Sequence, residues 1–202
     1  MKTNKIITNQ FNEYQKVLDG VNIEEFEKFI KKLKNVKSDK KKLFLAGNGG
    51  SSSIASHVAV DFLKNSKMVA QTFNEYNLIT CFSNDYGYDK WLEKSISFYC
   101  KKDDCLVLIS SSGESKNIIN AAKYARKKKI FLVTFTGMKK NNPVRKYGNL
   151  NFWVNSRKYN TVENDFLNAW IADQCSLGLP FYPSMNSSEF DYLANAIINY
   201  KF

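Results

Sequence analysis

Short apolar runs separated by helical stretches set the strongest limit on what this chain can fold into. "KLFLAG" (42–47), "LITCF" (78–82), "CLVLIS" (105–110) and "IFLVTFTG" (130–137) are each continuously apolar over the length of a strand. Continuous rather than alternating hydrophobicity marks strands buried on both faces, as a parallel sheet covered by helices requires. "NLNFWVNS" (149–156) predicts one more strand, and "MVAQTF" (68–73) is a candidate for another. Helical periodicity places helices at 53–65, 88–100 and 116–128 between these runs. Strands alternating with helices in this way predict an α/β domain with a doubly wound parallel sheet.

Two helical patterns precede the alternation, at 5–19 and 23–36, the second with Phe26, Phe29, Ile30 and Leu33 at helical spacing. They predict an N-terminal helical layer. The final third reads as a helix over 160–178, then "GLPFYP", then a helix over 187–200, with Ser187 or Ser188 as its cap and Glu189 and Asp191 in its first turn. No low-complexity linker divides the 202 residues, so a single domain, 1–202, is expected. The chain has no run of eighteen apolar residues, and its start, "MKTNKIITNQFNEYQKV", lacks the apolar core of a signal peptide. A cytoplasmic location without a membrane partner is therefore expected. Cys81, Cys100, Cys105 and Cys175 contain no CxxC pair, which argues against a zinc ribbon or thioredoxin motif and for buried free thiols.

A net charge of +11 and a pI near 9.4 raise the question of nucleic acid. The lysines, however, concentrate in "KKLKNVKSDKKK" (31–42) and "KYARKKK" (123–129), near the ends of predicted helices, where cations suit the helix dipole. They read as solvated faces, with no specific nucleic-acid partner.

Two segments repeat one theme. "FLAGNGGSSSIA" and "VLISSSGESKNI" each run from a strand through a small-residue loop into a helix start, and both loops belong on the carboxyl edge of a parallel sheet. Unpaired N–H groups and the dipole at a helix N-terminus favour an anion, small residues let it approach, and serine hydroxyls add donors. Ser110, Ser111, Ser112 and Ser115 around Gly113 suit a phosphate monoester. A nucleotide fits less well. Gly50 is followed by Ser51 where a Walker A loop needs Lys, and Ser52 stands where the dinucleotide fingerprint needs its third glycine.

"GNGGSSSIASHVAVDFL", "NDYGY" and "ISSSGESKNIINAAKYARKKKIFLVTFTG" together resemble the sugar isomerase (SIS) domain family, and within it the phosphoheptose isomerase branch, over residues 5–178. The resemblance implies a flavodoxin-like SIS fold, a homotetramer with active sites between subunits, and no nucleotide cofactor. It implies that Ser110, Ser111, Ser112 and Ser115 hold a phosphate and that Asn48, Gly49, Ser51 and Asp85 contact the sugar. The activity it implies is interconversion of a ketose phosphate and an aldose phosphate of the sedoheptulose 7-phosphate type, in heptose or surface-glycan biosynthesis.

Such an isomerisation passes through an enediol and needs a base for the C–H proton and a donor for the oxygens. His57 and Asp61, at i and i+4, share one face of the helix leaving the first loop and can point into one cleft; an ordinary helical His and carboxylate pair is the plainer reading. The family has His and Glu at these positions, then Gln and His on a late helix, as a zinc site. Here Asp61 replaces the Glu, Glu163 stands at the Gln, and the late His is absent near Ile171, with Asp165 and Asp173 the nearest acids. His57 is the chain's one histidine. His57, Asp61 and Glu163 make up a possible three-ligand set for zinc and are the candidate catalytic residues. Tyr86, Tyr88, Trp153 and Tyr159 are candidates for the pocket wall, with a core or interface role the plainer reading for each. The competing function is a non-catalytic SIS protein that binds a phosphosugar or a partner, as replication-initiator-associated members do.

Overall fold

A computed structural model describes residues 12, 20 and 22–154 of the chain. The predicted helix at 5–19, residue 12 apart, and those at 160–178 and 187–200 lie outside the described residues, as do Tyr159, Glu163, Asp165, Ile171, Asp173 and Cys175.

The first described helix, α1 (Ile23–Ser38), is capped by Asn22, whose side chain accepts from the Glu25 N–H at 3.1 Å. Glu24 and Glu25 occupy its first turn and Lys37 its last, each matching the dipole. Phe26, Phe29, Leu33 and Val36 form its buried stripe. Phe29 packs edge-on against Phe135 at 5.9 Å and lies 5.8 Å from Phe152 between ring centroids. Full burial of such a side chain is worth about 1.5–3 kcal/mol, enough to dock the helix on the sheet.

The sheet has five parallel strands: β1 (Leu43–Gly47), β2 (Ala70–Thr72), β3 (Cys105–Ser110), β4 (Phe131–Thr136) and β5 (Leu150–Trp153), in the order β2-β1-β3-β4-β5. Alternate residues of β1 and β3 serve opposite faces. Leu43, Leu45, Val107 and Ile109 pack with α1 and with Ile54, Ala55, Ala59 and Phe62 of α2 (Gly50–Ser66). On the other face Phe44, Ala46, Leu106 and Leu108 meet α4 (Trp91–Tyr99) and α5 (Lys116–Lys127). Burial on both faces explains why these strands read as continuous apolar runs.

One predicted strand is a helix. Residues 78–82 lie within α3 (Tyr76–Tyr86), and the outer strand is instead the brief "AQT" of β2. A five-residue apolar run cannot by itself separate strand from helix, and here the ends decide. The Glu75 carboxylate accepts from the Leu78 N–H at 2.8 Å, and Gly87, at φ 85°, ends the helix. Leu78, Ile79 and Phe82 then turn one helical face onto the core. The lysine clusters are largely exposed. Among the described residues, no helix is long and apolar enough to cross a membrane.

Cys105 is fully buried in β3, and burial pushes its thiol up to about 12. Cys100 shifts the same way, through burial first and then Asp104. Cys81 is exposed on α3, so the expectation of buried thiols fails there. Mass spectrometry after brief native alkylation is therefore expected to find Cys81 modified well ahead of Cys100 and Cys105, because reaction needs an accessible thiolate. The Asp85 carboxylate raises the Cys81 thiol, so Asp85→Asn is expected to speed that labelling further.

Candidate functional site

The strand order creates the site. From β1 the chain crosses on the α2 face to β2, whereas from β3 it crosses on the α5 face to β4, so the loops after β1 and β3 diverge at adjacent strand ends. A crevice at this switch point is where open α/β sheets bind ligands. The register aligns Gly47 with Ile109 and brings the two loops level.

On the β1 side, Gly49 caps α2 at φ 56° and ψ −124°, a conformation that residues with a Cβ rarely take. Its turn lets the Ser51 N–H reach the Asn48 carbonyl at 3.1 Å and begin the helix. On the β3 side, the Ser110 hydroxyl accepts from the Gly113 N–H and the Ser112 hydroxyl from the Glu114 N–H, each at 3.1 Å. Ser115 sits at the cap of α5 but its side chain makes no capping bond, and the first bond closing that helix runs from the Ile119 N–H to the Ser115 carbonyl. The N–H groups ahead of it lack an intrahelical partner and head toward the loop.

The loop is braced from behind. The Gly137 N–H donates to the Ser111 carbonyl at 3.0 Å and the Val144 N–H to the Gly113 carbonyl at 3.2 Å. Gly113 has φ 63°, and a Cβ there would collide with the buried Asn142 carboxamide. Gly113→Ala is thus expected to destabilise the protein by about 1–3 kcal/mol through backbone strain alone, more with the clash, and to lower the thermal midpoint in calorimetry.

Asn48, Ser51, Ile109, Ser110, Ser111, Ser112 and Ser115 line a cleft of about 170 Å³. None of these side chains is charged. The nearby loop ion pair, Lys139 to Glu114 at 2.8 Å, satisfies itself. Among the described residues, an anion in the cleft would therefore be held by hydroxyls, backbone N–H groups and the α5 dipole rather than by a cation.

The structure gathers one part of the predicted site and leaves another apart. Asn48, Ser51 and the four serines line the cleft, with Gly49 forming its turn. His57 and Asp61 pair on α2, His57 Nε2 to Asp61 Oδ2 at 3.5 Å, with side chains 82% and 35% exposed, and neither is among the lining residues. Asp85, near the end of α3, is exposed and accepts from the Asn84 amide at 3.0 Å. Tyr86 and Tyr88 are exposed, while the Trp153 indole donates to the Met138 carbonyl at 3.2 Å. As a zinc site, His57 and Asp61 have the right donor chemistry and spacing for two ligands. Among the described residues no group of three His, Cys, Asp or Glu side chains comes together, and Glu163 lies outside them. Sequence reasoning passed over Asn117 and Asn142, both buried beneath the loops. Asn117 had a signal: it shares the α5 stripe of Ala121 and Ala125, a polar residue on an apolar face.

A serine-rich loop at a helix N-terminus, set at the switch point of a 2-1-3-4-5 parallel sheet, defines an α/β protein of the flavodoxin-like class. Residues 8–137 match the SIS domain, and the chain belongs to the SIS domain family. It is 32% identical over 143 residues to the phosphoheptose isomerase of Buchnera aphidicola, an alignment covering 66% of this chain and 74% of that one. It is 31% identical over 139 residues to the phosphoheptose isomerase of Clostridium acetobutylicum, covering 65% and 70%. In fold it is similar to the phosphoheptose isomerase structure from Neisseria gonorrhoeae, with a TM-score of 0.73 at 18% identity, covering 99% of this chain and 100% of that one.

Proposed function

We propose that the cleft takes the phosphate of a sugar phosphate and that the chain interconverts a ketose phosphate and its aldose isomer, with a sugar of the sedoheptulose 7-phosphate type as substrate. The observation that carries this is the serine loop, which offers an anion neutral donors on one wall and, across the β1–β3 crevice, Asn48 and Ser51 on the other. The kinship with phosphoheptose isomerases supports the choice of reaction.

The reaction moves a proton between neighbouring carbons through an enediol, so the chain must supply a base, a returning acid, and donors for two oxygens. Asp61 and Glu163 are the carboxylates assigned to the proton. Asn48, Gly49, Ser51 and Asp85 are assigned to the sugar oxygens, and the α5 N-terminus to the phosphate. A zinc ion held by His57, Asp61 and Glu163 would polarise the carbonyl. No nucleotide enters the scheme.

The working site takes more than one copy of the chain. A cleft of about 170 Å³ is smaller than the roughly 300–1,000 Å³ of typical ligand pockets. Beside His57 on α2, Val60 is 58% accessible, and Leu63, further round the exposed side of the helix, is 52% accessible. Covering that face with a second copy would bury those apolar groups and shield the carboxylates from water, and a homotetramer with shared sites fits this need. The test is incubation with a panel of ketose and aldose phosphates, followed by separation of the products, alongside molar mass by light scattering. Interconversion by an assembled species supports the reading, and a monomer of full activity would refute the shared site.

A further inference from the structure

Asn117 is the second residue of α5 and only 1% exposed. Both polar atoms of its carboxamide go to the same partner: its Nδ2 donates to Asn48 Oδ1 at 2.8 Å, and Asn48 Nδ2 donates back to Asn117 Oδ1 at 3.0 Å. The residues are 69 apart in sequence, one in the loop after β1 and the other in the first turn of α5. A two-bond amide pair constrains distance and plane together, and a shift of either helix start or loop weakens both bonds. A carboxamide has two N–H donors and two acceptor lone pairs. The pair uses one of each on Asn48 and leaves one of each for the cleft that Asn48 lines.

We infer that Asn117 is a positioning residue that fixes Asn48 relative to the phosphate locus at the α5 N-terminus, and so sets the span between the bound phosphate and the sugar oxygens. This inference rests on the phosphosugar reading of the cleft. Its consequence is that the sugar part of the ligand is recognised through a residue that does not line the cleft. Without Asn117, the Asn48 amide rehydrates and turns, while the serine loop keeps its own donors.

The experiment compares dissociation constants for inorganic phosphate and for sedoheptulose 7-phosphate by calorimetry, in the wild type, Asn48→Ala, Asn117→Ala and the double variant. The ratio of the two constants isolates the sugar contribution from the phosphate contribution. Asn117→Ala is expected to leave the affinity for inorganic phosphate within about twofold, and to shrink the ratio by about tenfold, as loss of one ordinary hydrogen bond to the sugar would. Asn48→Ala should shrink it as much, and the double variant no further, since the two residues act as one unit. Should Asn117→Ala unfold at the assay temperature, Asn117→Ser carries the same comparison with a smaller cavity. The inference is overturned if the ratio survives Asn117→Ala but not Asn48→Ala, if the two losses multiply, or if phosphate affinity falls as far as sugar-phosphate affinity. It is also overturned if wild-type protein binds both ligands equally, because Asn48 then holds nothing. A wild type that prefers the sugar phosphate but does not isomerise it would sink the proposed reaction while leaving this comparison intact.

Discussion

Asp61→Asn and Glu163→Gln are each expected to lower turnover of a ketose phosphate by about 10²- to 10⁴-fold, the usual contribution of a general base or acid. Each substitution keeps the shape of the side chain and removes its ability to take a proton. Binding of the phosphate should barely change, since Asp61 is not among the described residues lining the serine cleft and Glu163→Gln preserves the shape of its side chain. Steady-state kinetics beside calorimetry checks both halves of the expectation. Metal analysis adds a third readout. If His57, Asp61 and Glu163 hold zinc together, then His57→Ala should deplete metal and activity in parallel, whereas a His57 that merely neighbours Asp61 on α2 would leave metal content alone. An Asp61→Asn enzyme with wild-type turnover would remove Asp61 from the reaction.

Ser111→Ala and Ser115→Ala are expected to weaken sugar-phosphate binding by about one to two orders of magnitude, because hydrogen bonds to a charged group contribute roughly 1.5–3 kcal/mol each. Ser115 gives the cleaner result. Its side chain makes no capping bond to α5, so the variant should melt close to the wild type while losing affinity. Unphosphorylated sugars should bind poorly to all forms, given that the described lining of the cleft offers donors suited to an anion. Equal affinity of the wild type for a sugar and for its phosphate ester would contradict the assignment.

The parallel sheet was legible because its strands are buried on both faces. "CLVLIS" and "KLFLAG" become β3 and β1 nearly to the residue. The run at 78–82 misled because its identity rests on groups outside it, the Glu75 carboxylate and the turn at Gly87. β2 was hard to see because its three residues leave little periodicity to read. In the site, the two loops announced themselves through their glycines and serines, whose small size is itself the requirement for a close backbone approach to an anion. Their bracing did not. Asn142 lies behind Gly113, and Asn117 meets Asn48 across 69 residues, pairings that only the strand order brings about. The α2 pair of His57 and Asp61 followed from helical spacing, but its exposure could not, since spacing says which residues share a helix face and not what covers that face.

The central claim is that this site performs an aldose–ketose isomerisation, and proton exchange tests it most directly. Assembled, zinc-supplemented wild-type protein would be incubated with sedoheptulose 7-phosphate in deuterium oxide and followed by NMR. An enediol route predicts the aldose phosphate as product, with deuterium appearing on the carbon beside the carbonyl. It also predicts loss of both signals in Asp61→Asn. Tight binding of the sugar phosphate with neither product nor deuterium exchange would contradict the claim and leave the chain as a phosphosugar-binding member of its family.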